Sequence, residues 1–191
     1  PLVYYTFDNL DQVTKVQGYD ADGVTPTTTN GVPDAPSASL LRSQAEASYD
    51  ELGRAYQTKA FGVDPSSGSV SSGALTTNVW RGKRGEVVKV SSPGGLVVKD
   101  EYDGAGRRVK AFATDGGGDT GYSDADDVTG DKVLEQGEST YDSNGNVILT
   151  TMRQRFHEAC FAQHLNRDQL ALGRVHHLDR ACRGNKTWRP R

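Results

Sequence analysis

A five-residue phrase, Tyr-Asp-x-x-Gly, recurs along the chain and constrains its fold more than any other feature. Full copies begin at Tyr19, Tyr49, Tyr102 and Tyr141. With the tyrosine, aspartate and glycine content of this chain, about 0.1 matches are expected by chance, so the phrase is a repeat. Self-similarity of this kind is typical of proteins built by using one small structural unit many times.

Each residue of the phrase suits the turn of a β-hairpin. The segments that flank the copies, such as residues 55–61, 108–112 and 147–151, are rich in β-prone residues. Short β-prone runs joined by three to five residues containing Gly predict hairpins. In that interpretation the Tyr ends a strand and lays its ring on the sheet. The Asp accepts from backbone N–H groups two residues on, and the Gly supplies a positive φ.

Three degenerate copies, beginning at Phe7, Trp80 and Tyr122, extend the array. The first and last carry Asp at the glycine position, which Asp tolerates, and the Trp80 copy has one extra residue. Starts at 7, 49, 80, 102, 122 and 141 are spaced by 42, 31, 22, 20 and 19 residues, and Tyr19 falls off this grid as a local turn. The residues assigned a structural motif role are Phe7, Asp8, Tyr49, Asp50, Gly53, Arg54, Trp80, Gly85, Tyr102, Asp103, Gly106, Arg107, Tyr122, Tyr141, Asp142 and Gly145.

The composition favours turn-dense β structure over helices. The chain has 22 glycines, only 35% hydrophobic residues and a mean hydropathy of −0.64, low for a domain with a self-sufficient core. We predict an all-β fold in residues 1–152, with antiparallel hairpins forming an open, curved sheet. A short helical or disordered basic tail follows in residues 153–191. Burial is expected mainly at Tyr4, Val13, Val16, Tyr49, Tyr56, Phe61, Val88, Val90, Val97, Tyr102, Val109, Phe112, Tyr141, Val147 and Leu149.

The phrase Tyr-Asp-x-x-Gly-Arg, at about twenty-residue spacing in a helix-poor chain, resembles the RHS/YD-repeat family over roughly residues 3–152. The resemblance implies hairpin arrays that coil into a hollow shell in large secreted or surface-displayed proteins. Some members enclose a C-terminal toxin and others act in adhesion. This chain has too few repeats to close a shell and lacks a core-boundary motif with an autoproteolytic Asp.

The resemblance leads us to expect a non-catalytic structural or interaction segment, placed extracellularly or at the cell surface. The expected partners are other repeats of a larger parent protein or surface ligands, carbohydrates among them. No cofactor, nucleic acid or membrane span is expected. No apolar run is long enough to cross a membrane, and no signal peptide is visible at the N-terminus.

The tail differs in charge and composition from the repeat segment. Residues 1–152 have a net charge of −9 and residues 153–191 one of +6, which suggests two regions with different physics. All four histidines and both cysteines lie in the tail. A zinc site would use Cys160, His164, His176 or His177, and Cys182, but these spacings match no familiar zinc motif. The alternatives are surface histidines with isolated cysteines, a basic nucleic-acid-binding segment containing Trp188, and a shifted reading frame.

The sequence contains no recognised catalytic motif. G-x-S-x-G, the Walker loop and H-E-x-x-H are absent. Asp124, Asp126, Asp127 and Asp131 suggest calcium, yet the EF-hand pattern is missing, and acidic hairpin loops are common. We therefore predict no enzymatic activity. The alternative is an effector, zinc-binding or nucleic-acid-binding tail carried by the repeats.

Overall fold

The computed structural model describes residues 1–118, 121–122, 125–155 and 189–190, and this part of the chain is almost entirely β structure. Its one helical element is a 3-10 helix at Ala38–Leu40. The strands are β1 (Leu2–Phe7), β2 (Val13–Tyr19), β3 (Thr28–Thr29), β4 (Val32–Pro33), β5 (Leu41–Tyr49), β6 (Ala55–Val63), β7 (Val70–Arg81), β8 (Val87–Ser91), β9 (Val97–Tyr102), β10 (Arg108–Thr114), β11 (Val133–Tyr141), β12 (Val147–Gln154) and β13 (Arg189–Pro190).

The described residues fall into two compact units, residues 1–98 with 121–122 and 125–126, and residues 99–118 with 127–155 and 189–190. In the first unit the strands lie in the order β1-β2-β5-β6-β7-β8, and β3 and β4 form a separate small hairpin. In the second unit β10, β11, β12 and β13 are successive neighbours. The chain divides within β9, between Val98 and Lys99.

All the pairings are antiparallel, and β1 has a neighbour on one side alone among the described strands, so the sheet is open. The prediction of an all-β fold made of antiparallel hairpins in an open sheet is therefore confirmed. The predicted helical or disordered tail falls largely in residues 156–188, which lie outside the described residues. The proposed boundary at residue 152 stays a prediction.

Four hairpins share a one-residue irregularity where a strand meets its turn. The register shifts at Thr6/Phe7, Ser48/Tyr49, Trp80/Arg81 and Thr140/Tyr141. Such a β-bulge opposes two residues on one strand to one on its partner, and it commonly accompanies short hairpin loops that end in a left-handed residue. The hairpins of the array are thus built to one geometric plan.

Polar side chains cover one face of the first unit. Along β6, Gln57 and Lys59 are half-buried, whereas Tyr56 and Ala60 are exposed. Gln57 Nε2 donates to Asn78 Oδ1 at 2.7 Å. Two further cross-strand contacts of this kind join Gln17 to Gln44 at 3.0 Å and Lys15 to Glu46 at 3.3 Å. Long polar side chains therefore cover one another across neighbouring strands, which lets a chain with few apolar residues form a broad sheet.

Few hydrophobic side chains are fully buried. Among the expected positions Val88, Val97 and Phe112 are buried, at 6–8% exposure. The expectation was wrong for Tyr56, Val147 and Leu149, which are exposed by 45%, 55% and 59%. Alternation sets which residues share a face but not which face is covered. The other buried hydrophobic residues of the described part are Tyr19, Leu41 and Ala125.

Candidate functional site

The turn at Asp50–Arg54 shows what each residue of the repeated phrase does. Asp50 N donates to Arg54 O at 3.0 Å, and Gly53 N donates to Asp50 O at 2.9 Å. The side-chain Oδ1 of Asp50 accepts from the backbone N–H groups of Leu52 (3.0 Å) and Arg54 (2.9 Å). Its Oδ2 accepts from Arg54 Nε at 2.8 Å. Gly53 has φ +73°, a conformation that glycine adopts without a steric penalty.

The turns at Asp103–Arg107 and Asp142–Asn146 repeat this arrangement. Asp103 Oδ1 accepts from Ala105 N and Arg107 N, each at 2.9 Å, and Oδ2 accepts from Arg107 Nε at 2.7 Å. At the third turn, Asp142 Oδ2 accepts from Asn146 Nδ2 at 2.9 Å. The residue that follows the Gly is Arg or Asn, and its side chain closes a hydrogen-bonded ring with the Asp.

These contacts stabilise the ionised form of the turn aspartates. The side-chain hydrogen bond from Arg54 is the main cause that lowers the pKa of Asp50. The hydrogen bond from the backbone N–H of Arg107 is the main cause that lowers the pKa of Asp103. The hydrogen bond from the side chain of Asn146 is the main cause that lowers the pKa of Asp142. Hydrogen bonds to a carboxylate favour its charged form. At Asp50, both carboxylate oxygens accept hydrogen bonds from the turn itself.

The degenerate copy at Phe7 forms the same turn. Asp8 N donates to Gln12 O at 3.0 Å, and Asp8 Oδ1 accepts from Leu10 N at 2.8 Å and Gln12 N at 3.0 Å. Asp11 stands at the glycine position with φ +59°, as the left-handed tolerance of Asp allows.

The copy at Trp80 is displaced by one residue rather than lengthened. Gly82 N donates to Glu86 O at 2.8 Å and Gly85 N donates to Gly82 O at 3.0 Å, so Gly82 stands at the Asp position. Arg81, the last residue of β7, stands where the other copies have an aromatic residue. Trp80 is therefore one position earlier in the strand.

One further turn of this geometry, at Ser92–Leu96, lies outside the predicted copies of the phrase. Ser92 N donates to Leu96 O at 3.0 Å and Gly95 N donates to Ser92 O at 3.3 Å, between β8 and β9. Residues 93–95 are Pro-Gly-Gly, a turn signal that could have located it. It lacks both the aromatic residue and the Asp of the phrase, so a search for the phrase cannot find it.

Two copies do not close a hairpin. Asp20 N bonds to Leu40 O at 2.8 Å, and β2 pairs with the distant β5, so Tyr19–Gly23 is a local turn at the start of a long connection. Tyr122 lies in the connection from β10 to β11, and its hydroxyl donates to the Arg81 carbonyl. Residues 123 and 124 of that copy lie outside the described residues.

Two motif tyrosines, Tyr49 and Tyr141, each link their hairpin to the one before it. Tyr49 Oη donates to the carbonyl of Val13 at 2.8 Å, and Tyr141 Oη donates to the carbonyl of Arg108 at 2.8 Å. Val13 and Arg108 occupy equivalent positions, each opening the return strand after a turn. Tyr102 ends β9 at the corresponding position.

The motif arginines reach in the other direction, toward the next turn. Arg107 Nη1 donates to Asp142 O at 3.3 Å, and its guanidinium lies over the Tyr141 ring at 4.7 Å. Arg54 likewise reaches the following turn. A β-carbon added at Gly85 of that turn would lie 3.1 Å from Arg54 Nη1. The equivalent distance from Gly145 to Arg107 Nη1 is 4.0 Å. The phrase therefore encodes a turn together with contacts to both of its neighbours.

The metal-site candidates are placed as follows. Cys160, His164, His177 and Cys182 lie outside the described residues. Within the described part, no group of three or more His, Cys, Asp or Glu side chains could hold a metal ion. Of the acidic cluster, Asp131 is buried with Lys99, whose Nζ lies 3.0 Å from Asp131 Oδ2 and donates to Asp127 O at 2.6 Å. A lysine thus holds Asp131 in place.

No described helix is long and apolar enough to span a membrane. No family model matches the chain, and no curated protein matches it.

Proposed function

We propose that this chain is a non-catalytic structural and interaction segment of a larger secreted or surface-displayed protein of the RHS/YD-repeat type. The observation that carries the proposal is a set of contacts between neighbouring hairpins that recurs along the array. A tyrosine hydroxyl bonds to the preceding hairpin at Tyr49 and again at Tyr141. An arginine reaches the following turn at Arg54 and again at Arg107.

Contacts of this kind can form only where another hairpin lies alongside. Each repeat of an array is stabilised mainly by its neighbours, and here the most specific residues of the phrase supply those neighbour contacts. We therefore infer that the phrase serves assembly of the array. The assembled array would act as a shell or as an adhesive surface.

The state of the aspartates supports a role without turnover. Asp50, Asp103 and Asp142 each accept at least two hydrogen bonds from their own turn. A general base needs a free lone pair within reach of a substrate proton and a pKa near the working pH. The bonds of the turn lower the pKa instead.

The test is to read the genomic DNA on both sides of the coding segment. We expect further Tyr-Asp-x-x-Gly copies at about twenty-residue spacing, in frame with this chain. Reading the other two frames beyond the codon of Met152 also tests the tail, because a shifted frame would resume the repeat pattern. A genomic context with no further copies in any frame would contradict the proposal.

Placement is tested on intact source cells with an antibody against residues 1–152. Protease added outside the cells should remove the epitope while a cytosolic marker survives. Loss of the epitope only after lysis would contradict extracellular or surface placement.

A further inference from the structure

The first unit contains a cavity beside the turn at Asp50–Arg54. Its volume is ≈ 570 Å³, within the range of sites that take small molecules. The wall is formed by the end of β7, the start of β6 and Tyr122. Tyr122 is held there by the bond from its hydroxyl to the Arg81 carbonyl. Distant parts of the chain are thus fastened together at this cavity.

Among the described residues that line the cavity, positive charges outnumber negative ones. Asp50 is neutralised by Arg54, whose Nη2 lies 2.8 Å from Asp50 Oδ2. Arg81 and Lys83 remain, and within the described part of the chain neither has a carboxylate partner. Arg81 Nη1 donates to the Gly85 carbonyl at 3.3 Å, but its Nε is buried without a hydrogen bond. Two cationic side chains without a described carboxylate partner therefore line this cavity, Arg81 and Lys83.

Aromatic side chains stand beside these cations. Tyr56 is exposed by 45% and Tyr122 by 61%, and both line the cavity. Trp80 also lines it, but Lys89 already lies over its ring at 4.8 Å. Exposed tyrosine rings offer flat apolar faces with a polar edge. A ligand that uses both features needs an acidic group and a ring.

We propose that this cavity binds a cyclic organic carboxylate. The carboxylate lies against Arg81 and Lys83, and the ring lies against Tyr56 or Tyr122. Arg presents a planar fork that matches a carboxylate, and Lys adds a point charge. A uronic acid and an aromatic acid share this chemistry, and the probes below separate them. The site is independent of the proposed role in a repeat array, so either can fail without the other.

The test uses the full chain and two matched pairs of probes. D-galacturonate is compared with D-galactose, and phenylacetate with 2-phenylethanol, because each pair shares a ring and differs in the carboxylate. Inorganic phosphate serves as an anion without a ring. Saturation-transfer NMR detects binding, and calorimetry measures Kd. We expect at least one acid to bind roughly tenfold more tightly than its neutral partner and than phosphate.

Variants then assign the contacts. Lys83→Gln should weaken binding of that acid about threefold, and Arg81→Gln about tenfold. Tyr56→Leu should weaken it about threefold. The matched controls are Lys59→Gln and Tyr5→Leu, since Lys59 and Tyr5 lie in the same unit but do not line this cavity. If Arg81→Gln does not fold, Lys83→Gln and Tyr56→Leu still decide the question.

Three results would overturn the proposal. The first is no saturable binding of either acid. The second is equal affinity for acid and neutral probe, or for acid and phosphate. The third is the same loss of affinity in Lys59→Gln as in Lys83→Gln, because the cations of the cavity would then have no special part.

Discussion

Removing the hydroxyl of Tyr49 tests whether the repeated phrase joins hairpins as well as forming turns. Tyr49→Phe keeps the ring and deletes one part-buried hydrogen bond, 2.8 Å long, to the carbonyl of Val13. A neutral hydrogen bond contributes about 1 kcal/mol net, and less where water can replace it. For a unit of this size, such a loss lowers the Tm by about 4 °C.

The assay is thermal unfolding followed by circular dichroism, with urea unfolding as a second measurement. Tyr141→Phe removes the equivalent bond to Arg108 in the second unit and should cost about 0.5–1 kcal/mol, since that bond is more exposed. Tyr5→Phe is the matched control, because Tyr5 is half-exposed and makes no hydrogen bond within the described part of the chain. Equal Tm values for wild type and Tyr49→Phe, or an equal loss in Tyr5→Phe, would refute the reasoning.

Three further predictions concern the turns and a buried ion pair. Gly106→Ala should destabilise the chain by about 1 kcal/mol, because φ at Gly106 is +80°. Gly104→Ala in the same turn, where φ is not positive and the space is open, should have little effect, and similar Tm values for the two variants would contradict the argument. The lowered pKa values of Asp50, Asp103 and Asp142 mean that the folded state binds fewer protons than the unfolded state as the pH approaches about 4. The stability they contribute is present above the unfolded pKa and is lost as the pH falls through the folded pKa, and Asp103→Asn should flatten this loss in an acid titration. An unchanged titration would count against it. Lys99→Met should destabilise the chain by about 3–5 kcal/mol, because it leaves Asp131 buried beside an apolar side chain. Lys99→Met with Asp131→Leu should recover most of that loss in urea unfolding, and a double variant as unstable as the single one would show that the pair itself is required.

The aspartates and glycines of the phrase were predictable because their roles are local. The backbone N–H groups that Asp50 accepts from lie two and four residues away, and Gly53 needs only its own φ. Spacing alone reveals such contacts. Even Asp11 could be anticipated, since few residues other than glycine tolerate its conformation.

The contacts between repeats could not be predicted in this way. The bond from Tyr49 to Val13 spans 36 residues and that from Tyr141 to Arg108 spans 33. They depend on which strand lies next to which, and on the long connection that carries the chain from β2 to β5. The pairing of Lys99 with Asp131 depends likewise on the connection that precedes β11.

The sequence by itself determined the class of structure and the places where the chain turns. A β-prone run interrupted by Asp-x-x-Gly has few conformations open to it, because side-chain hydrogen bonds and a positive φ act within five residues. Only the tertiary structure decided which face of each strand is covered, why Tyr56 is exposed, and how Arg81, Lys83 and Tyr122 come to line one cavity. Those outcomes depend on strand order and on long connections, whose free energy is set by contacts between residues far apart in the chain.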